Sequence, residues 1–393
     1  MINLFIITLQ NKVMNRDKIT LFRRFQLNWW LNQGEEKKVI ENLLCILDKQ
    51  ALPHDLLLAE TEKLINYNVF QETQDYLMEA LKYSHNSETL AQIYYLLARC
   101  FYGLGAVDEA ISYLDLSVEL KPNHSGCWNL KANCYLELGQ WEDAVDSLNK
   151  SLRSSPGDAE TIYRLGSIYL FHGEYGEALN CFCGCCKLNP FNPDYWEMKA
   201  EMLLHLEQIE GACECFRKAI RFNGELHLSN RLAYCYAKTG QLKKAKKLLS
   251  IVLKNQPDNY EALCNLASIY HKLDRDEQAY KLLKKAYTIN CNDPFLLNNL
   301  GFICYQLGRS RKAIEYYQEA IKISPDDNIV LFNLGTCQSE KGLWEEAKNT
   351  LENLTSKDKN NSDAWAMLGN VYEQLSKYPL AVDCFNRSLG LVR

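Results

Sequence analysis

The chain has no net basic charge, few prolines and no recognisable catalytic motif. Its 393 residues carry a net charge of −5, which argues against nucleic acid as a partner, since nucleic-acid binding normally leaves a basic footprint. No GxSxG, Walker loop, GxGxxG or HExxH occurs, so the familiar routes to hydrolysis, phosphoryl transfer, dinucleotide binding and zinc proteolysis are absent. No transmembrane segment is visible, and membrane insertion is not expected. Met1–Val13 holds the apolar run Leu4–Leu9 without a basic n-region or a small-residue cleavage site, so no signal peptide is expected. Met14 is an alternative start. There are nine prolines, and five of them recur at one position of a repeating pattern.

The 47% apolar and 24% charged fractions are those of an ordinary soluble protein, yet the length exceeds what one hydrophobic core usually organises. Several domains or a repeat array are therefore expected. Sixteen cysteines are many, but they do not form a disulfide framework. Cys100, Cys134, Cys235 and Cys337 fall at residue 10 of the repeat, as a small hydrophobe filling a recurrent slot would. So many free thiols suggest a reducing compartment and a cytoplasmic protein.

The pattern is clearest in Pro294–Asp327. Leu297, Leu300, Ile303 and Cys304 follow helical spacing, as do Ala313, Tyr316, Tyr317, Ala320 and Ile321 beyond Gly308. Gly308 suits the end of a first helix, and Pro325 the end of a second. Units of this kind begin at 91, 125, 159, 193, 226, 260, 294, 328 and 362, each step being 34 residues except one of 33. Residue 20 is alanine in every unit: Ala110, Ala144, Ala178, Ala212, Ala245, Ala279, Ala313, Ala347 and Ala381. Residue 8 is alanine or glycine throughout, from Ala98 to Gly369. These two small columns let the axes of a helix pair approach closely. Residue 11 is usually aromatic (Phe101, Tyr135, Tyr169, Tyr236, Tyr270, Tyr372) and residue 4 bulky (Tyr94, Trp128, Trp196, Trp365). Neither helix of a unit can bury its apolar stripe alone.

This period and these columns resemble the tetratricopeptide repeat. The resemblance implies an all-α fold: a right-handed superhelical solenoid of antiparallel helix pairs, with first helices lining a concave face. Departures are modest. Glu207 and Asp274 replace turn glycines, Gly224 and Cys291 replace closing prolines, and Pro379 enters the first turn of a second helix, where proline is tolerated. Residues 91–393 read as nine such units, 54–90 as a degenerate one with Leu57, Leu64, Leu77 and Ala80 near the right offsets, and 84–88 as the loop after it. Residues 1–53 read as a helical cap or extension. Its basic, aromatic stretch, with Arg16, Arg23, Arg24, Trp29 and Trp30, also suits a membrane-surface or partner-docking helix.

The candidate chemistry is sparse. CFCGCC supplies Cys181, Cys183, Cys185 and Cys186, and Cys213 and Cys215 follow one repeat later. Zinc needs four ligands converging tetrahedrally. Cys181 and Cys185 share a helical face that Cys183 leaves, so packing is the reading, with a metal site at Cys181, Cys185 and Cys215 or redox sensitivity as alternatives. His172, His205 and His271 fall at the ends of first helices, where solvated polar residues are usual. No enzyme activity and no cofactor are expected.

The functional signal lies at residue 6 of the unit. Asn265, Asn299 and Asn333 occupy it in three consecutive repeats, and Arg164 and Arg231 in two earlier ones. An asparagine amide offers an acceptor and two donors, the complement of an extended peptide backbone. The column resembles the asparagine ladder in the superhelical domain of O-linked N-acetylglucosamine transferases, which implies peptide binding on the concave face. The carboxylate clamp of chaperone-binding members is not completed. Its places hold Tyr95 and Arg99, then Leu130, then Glu160 and Arg164, so Glu160 breaks the basic fork and the middle asparagine is missing.

The expected function is a scaffold or adaptor that holds a protein or peptide partner. The rival is a regulatory or targeting subunit of an enzyme complex that works through terminal or convex surfaces. A secretion-type chaperone is a third reading, although those arrays are much shorter. After Phe385 no polar capping helix follows, so Cys384, Leu389, Leu391 and Val392 are expected to be partly exposed. A homodimer through this last repeat, a docked partner or a tolerated bare edge would each account for that.

Overall fold

The structure, a computed structural model, describes residue 38 and residues 54–223 and 226–391. The basic, aromatic stretch near the N-terminus, Gly224 and Val392 lie outside the described residues. Among the described residues the regular elements are twenty α-helices and one 3-10 turn, with no strand. The chain divides into two compact units, Met1–Pro190 and Phe191–Arg393.

In the first unit, helices His54–Asn66 and Gln71–Ala80 precede three pairs: Ser87–Gly103 with Val107–Leu120, Ser125–Glu137 with Trp141–Ser154, and Ala159–Phe171 with Tyr175–Leu188. In the second, six pairs follow: Pro193–His205 with Ile209–Asn223, Leu226–Lys238 with Leu242–Asn255, Tyr260–His271 with Asp276–Ile289, Pro294–Gln306 with Ser310–Ile323, Asn328–Glu340 with Trp344–Lys357, and Ser362–Gln374 with Tyr378–Ser388. Each unit is a solenoid of antiparallel helix pairs. The first regular pair starts inside the stretch expected to be a loop. Asn86 accepts a hydrogen bond from the Glu88 amide at 3.0 Å, and that cap brings the helix start forward to Ser87.

The ends of the helices follow from single residues. Asp158, Asn192, Asn259, Asp293, Asp327 and Asn361 each accept a hydrogen bond from an amide of the first turn that follows, satisfying a donor the helix cannot pair internally. Between the helices of a pair, one residue takes a left-handed backbone: Gly308, for example, at φ 70°. Where that glycine is absent, Glu207 (58°), Asp274 (56°) and Ser376 (59°) adopt the same conformation, so the turn is imposed by the packing on either side and not by glycine alone.

Helix contact within a pair rests on the two small columns. The residue-20 alanines are all buried. At residue 8 a glycine leaves room for a side chain of the second helix. A Cβ built on Gly301 would lie 2.6 Å from the Tyr317 ring, one on Gly369 2.6 Å from Phe385, and one on Gly335 2.7 Å from Leu351. Within a unit the core runs from one repeat into the next: Ala98, Ala110 and Leu114 of one repeat form a cluster with Cys127 and Cys134 of the next. Within a unit, a second helix that is followed by another repeat thus packs between two first helices, as a repeat array requires.

Cys100, Cys134, Cys235 and Cys337 are buried in this core, as a small apolar residue would be. Burial pushes the thiols of Cys100 and Cys235 up to about 12, which removes thiolate character. Cys185 has a further role. Ser117 and Ser151 donate to the carbonyls of Ala91 and Ser125 at 2.7 and 3.3 Å, each tying the second helix back to the start of the first. At the same place in the next repeat the Cys185 thiol donates to the Ala159 carbonyl at 3.5 Å. At the other end of the chain, Cys384 is buried at 3% exposure, contrary to expectation, because it joins the cluster of Leu354, Leu368 and Val371. Leu389 and Leu391 are exposed at 72% and 70%.

Two outcomes follow from this geometry. Glu207→Gly relieves a left-handed Cβ clash worth about 1–2 kcal/mol and adds about 0.5–1 kcal/mol of chain entropy cost, so the unfolding free energy from a urea titration should rise, by no more than about 1.5 kcal/mol. Gly301→Ala drives a methyl into the Tyr317 ring and should lower it by about 1–3 kcal/mol. Adding Tyr317→Leu, the pairing already used by Ala267 and Leu283, should recover part of that loss in the same urea titration.

Candidate functional site

Three first helices, Leu226–Lys238, Tyr260–His271 and Pro294–Gln306, present residue 6 to a common cleft of about 230 Å³. Arg231, Asn265 and Asn299 line it, together with Asn230, Glu261, Asp293 and Phe295. Three of the five residues singled out in the sequence therefore meet at one site. The other two do not. Asn333 donates its amide to Asn298 Oδ1 at 3.0 Å, and Arg164 belongs to the first unit, where its guanidinium donates to the Asn133 side chain.

The cleft wall is made by side chains that bridge repeats. Asn230 donates to Asn259 Oδ1 at 3.1 Å and to Glu261 Oε2 at 3.3 Å. Asn259 also caps its own helix by accepting from the Ala262 amide at 3.0 Å. One repeat on, the Tyr260 hydroxyl donates to Asp293 Oδ2, while Asp293 Oδ1 caps the next helix by accepting from the Phe295 amide at 2.8 Å. Burial, reinforced by that carboxylate, raises the Tyr260 pKa and keeps the phenol a donor. Arg231 Nε lies 2.9 Å from Glu201 Oε1, with the arginine side chain half exposed. Burial raises the Glu201 pKa, and Arg231 opposes the shift.

What the cleft leaves unused is informative. Neither Asn265 nor Asn299 makes a side-chain hydrogen bond to another described residue; Asn265 is half-buried and Asn299 exposed. Asn230 is 2% exposed, and its Oδ1 has no hydrogen-bond partner among the described residues. A buried acceptor without a donor carries a cost that a ligand N–H would remove. Phe295 stands 77% exposed at the same site. The residue-6 column alone missed Asn230, Asp293 and Phe295. The available signal was an apolar residue in the first turn of a helix, off the core stripe, beside a capping aspartate.

The residues that line the cleft include no histidine, serine or lysine. His172 stacks on Trp141 with ring centroids 4.3 Å apart, and His271 Nδ1 lies 2.7 Å from Asp276 Oδ1. Among the described residues no three His, Cys, Asp or Glu side chains converge as a metal would require. Cys181 is partly buried, Cys185 and Cys215 are buried, and burial raises the Cys181 and Cys185 thiols to about 11. No described helix is long and apolar enough to cross a membrane.

Comparison with known proteins places these features. The family model described as anaphase-promoting complex, cyclosome, subunit 3 matches residues 74–151. Tetratricopeptide repeat models match residues 159–192, 193–225 and 362–391, residues 231–259, residues 258–326 and residues 305–371. The transcription factor tau 131 kDa subunit of Saccharomyces cerevisiae is 28% identical over 127 residues, a segment that makes up 32% of this chain and 12% of that protein. Among solved structures, MamA is 23% identical over 40% of this chain and 93% of its own, with a TM-score of 0.39. YrrB, described as a tetratricopeptide repeat protein with an unusual peptide-binding site, is 21% identical over 45% of this chain and 92% of its own, with a TM-score of 0.41. Repeat models of one kind succeed one another from residue 159 to residue 391, over the helix pairs described above, and the chain belongs to the tetratricopeptide repeat family.

Proposed function

We propose that the chain is a non-enzymatic, cytoplasmic scaffold or adaptor that holds an extended segment of a partner protein across the first helices of the repeats beginning at Leu226, Tyr260 and Pro294. The observation that carries this reading is the set of unused hydrogen-bonding groups in one cleft: the amides of Asn265 and Asn299 and the orphan Oδ1 of Asn230. Backbone N–H groups of a bound strand supply donors to the asparagine oxygens, and its carbonyls accept from the asparagine amides and from Arg231. Such contacts make few demands on side chains, as befits an adaptor. A second reading, self-association or docking through the last repeat, is favoured by the exposure of Tyr378, Leu380, Val382 and Leu389 on it.

The test is a pull-down from lysate with mass spectrometry, comparing wild type with Asn265→Ala/Asn299→Ala and with Asn333→Ala. Losing two hydrogen-bonding amides should weaken partner capture by about tenfold or more without changing helical content. Asn333→Ala should have the smaller effect, because that amide is already spent on Asn298. Capture unchanged in the double variant, but lost when the last repeat carries Leu380→Ser and Val382→Ser, would replace the first reading by the second.

A further inference from the structure

The helix Leu242–Asn255 is unlike every other second helix of the repeats. It carries Lys243, Lys244, Lys246, Lys247 and Lys254 and no Asp or Glu, in a chain whose net charge is −5. Lys243 and Lys244 sit in its first turn, where the helix dipole disfavours cations. Lys243 and Lys247 are four residues apart, so like charges face each other along one side. This arrangement costs stability: among the described residues no carboxylate forms an ion pair with any of the five lysines, and Lys244 donates to the neutral Gln241 Oε1 at 2.7 Å. Lys244 lies over the Tyr236 ring at 5.5 Å and Lys246 over the Tyr270 ring at 4.8 Å, while Lys243, Lys247 and Lys254 are exposed.

The lysines crowd one face of this single helix. A shallow depression of about 520 Å³ is lined by Lys243, Lys246, Lys247, Ser250, Ile251 and Lys254. Residues 243, 247, 250, 251 and 254 follow the helical repeat and lie on one stripe. Ile251 stands 48% exposed between the cations of Lys247 and Lys254. From Lys243 to Lys254 the stripe is about 16 Å long, the reach of roughly five residues of extended chain.

We propose that this face, distinct from the cleft on the first helices, docks an acidic segment of a partner protein: Asp or Glu side chains over Lys243, Lys247 and Lys254, and an apolar side chain on Ile251. The apolar floor selects a polypeptide over a nucleic acid. The residues lining this face include lysines but neither arginine nor an aromatic ring on which a base would stack, and the chain's overall negative charge repels a long polyanion.

The experiment uses the full chain and three fluorescein-labelled probes: a peptide alternating Glu with Leu, the same peptide with Ser in place of Leu, and a single-stranded oligonucleotide of equal charge. Fluorescence anisotropy should show the Glu–Leu peptide binding best, and weakening as salt rises, since the screening length is about 8 Å at physiological ionic strength. Lys243→Gln/Lys247→Gln/Lys254→Gln should weaken it by about tenfold, the scale of several exposed ion pairs. Ile251→Ser should weaken the Glu–Leu peptide and leave the Glu–Ser peptide unchanged. The substituted side chains are exposed, so the circular dichroism of the variants should match wild type, and Asn265→Ala/Asn299→Ala should bind the probe normally. Equal binding by wild type and the triple glutamine variant overturns the proposal, as does the absence of binding to any probe. An oligonucleotide that matches or exceeds the Glu–Leu peptide assigns the face to nucleic acid instead.

Discussion

Everything in this molecule depends on how closely two helices of a pair can approach. The residue-20 alanines are buried at the contact, and the residue facing them from the first helix is never larger than alanine. Where the second helix brings Tyr317 or Phe385 to that contact, the first helix gives up even the methyl group, at Gly301 and Gly369. Close packing transmits size changes directly because the interior has no slack to absorb them. The spacing between the helices fixes where residue 6 stands on the first helix and which side of the second helix faces outward. Both candidate surfaces inherit their geometry from it.

The fold was legible because its determinants are local and repeated. An alanine column, a glycine column and a turn glycine each report one steric need, and the need recurs every 34 residues. Even the exceptions were readable, since Glu207 and Asp274 stand where glycine was expected and take the same left-handed backbone. The boundaries were less so: one capping residue, Asn86, suffices to start a helix within a stretch that reads as a loop.

The site was legible only in part, for a physical reason. Which residue-6 side chains are available is decided by neighbours about 30 residues away in sequence. Arg231 meets Glu201, Arg164 meets Asn133, and Asn333 meets Asn298, whereas Asn265 and Asn299 meet no such partner. A column read down the repeat treats these five alike. Contacts between columns separate them, and those contacts appear only once consecutive first helices are placed side by side. The cysteines taught the converse lesson. The run CFCGCC looks like chemistry, yet Cys185 serves as a small buried donor at a place where two earlier repeats use serine.

The capping residues of the cleft have two duties at once. Asn259 and Asp293 each hold the start of a helix with one contact and a side chain of the preceding repeat with another. A substitution that retuned the cleft at either position would also loosen a helix start and the seam between two repeats. Selection can therefore revise what this surface recognises at Asn265, Asn299 or Phe295, whose side chains hold nothing else in place, far more freely than at the two caps. Variation among descendants of this sequence should concentrate on the first set and spare the second.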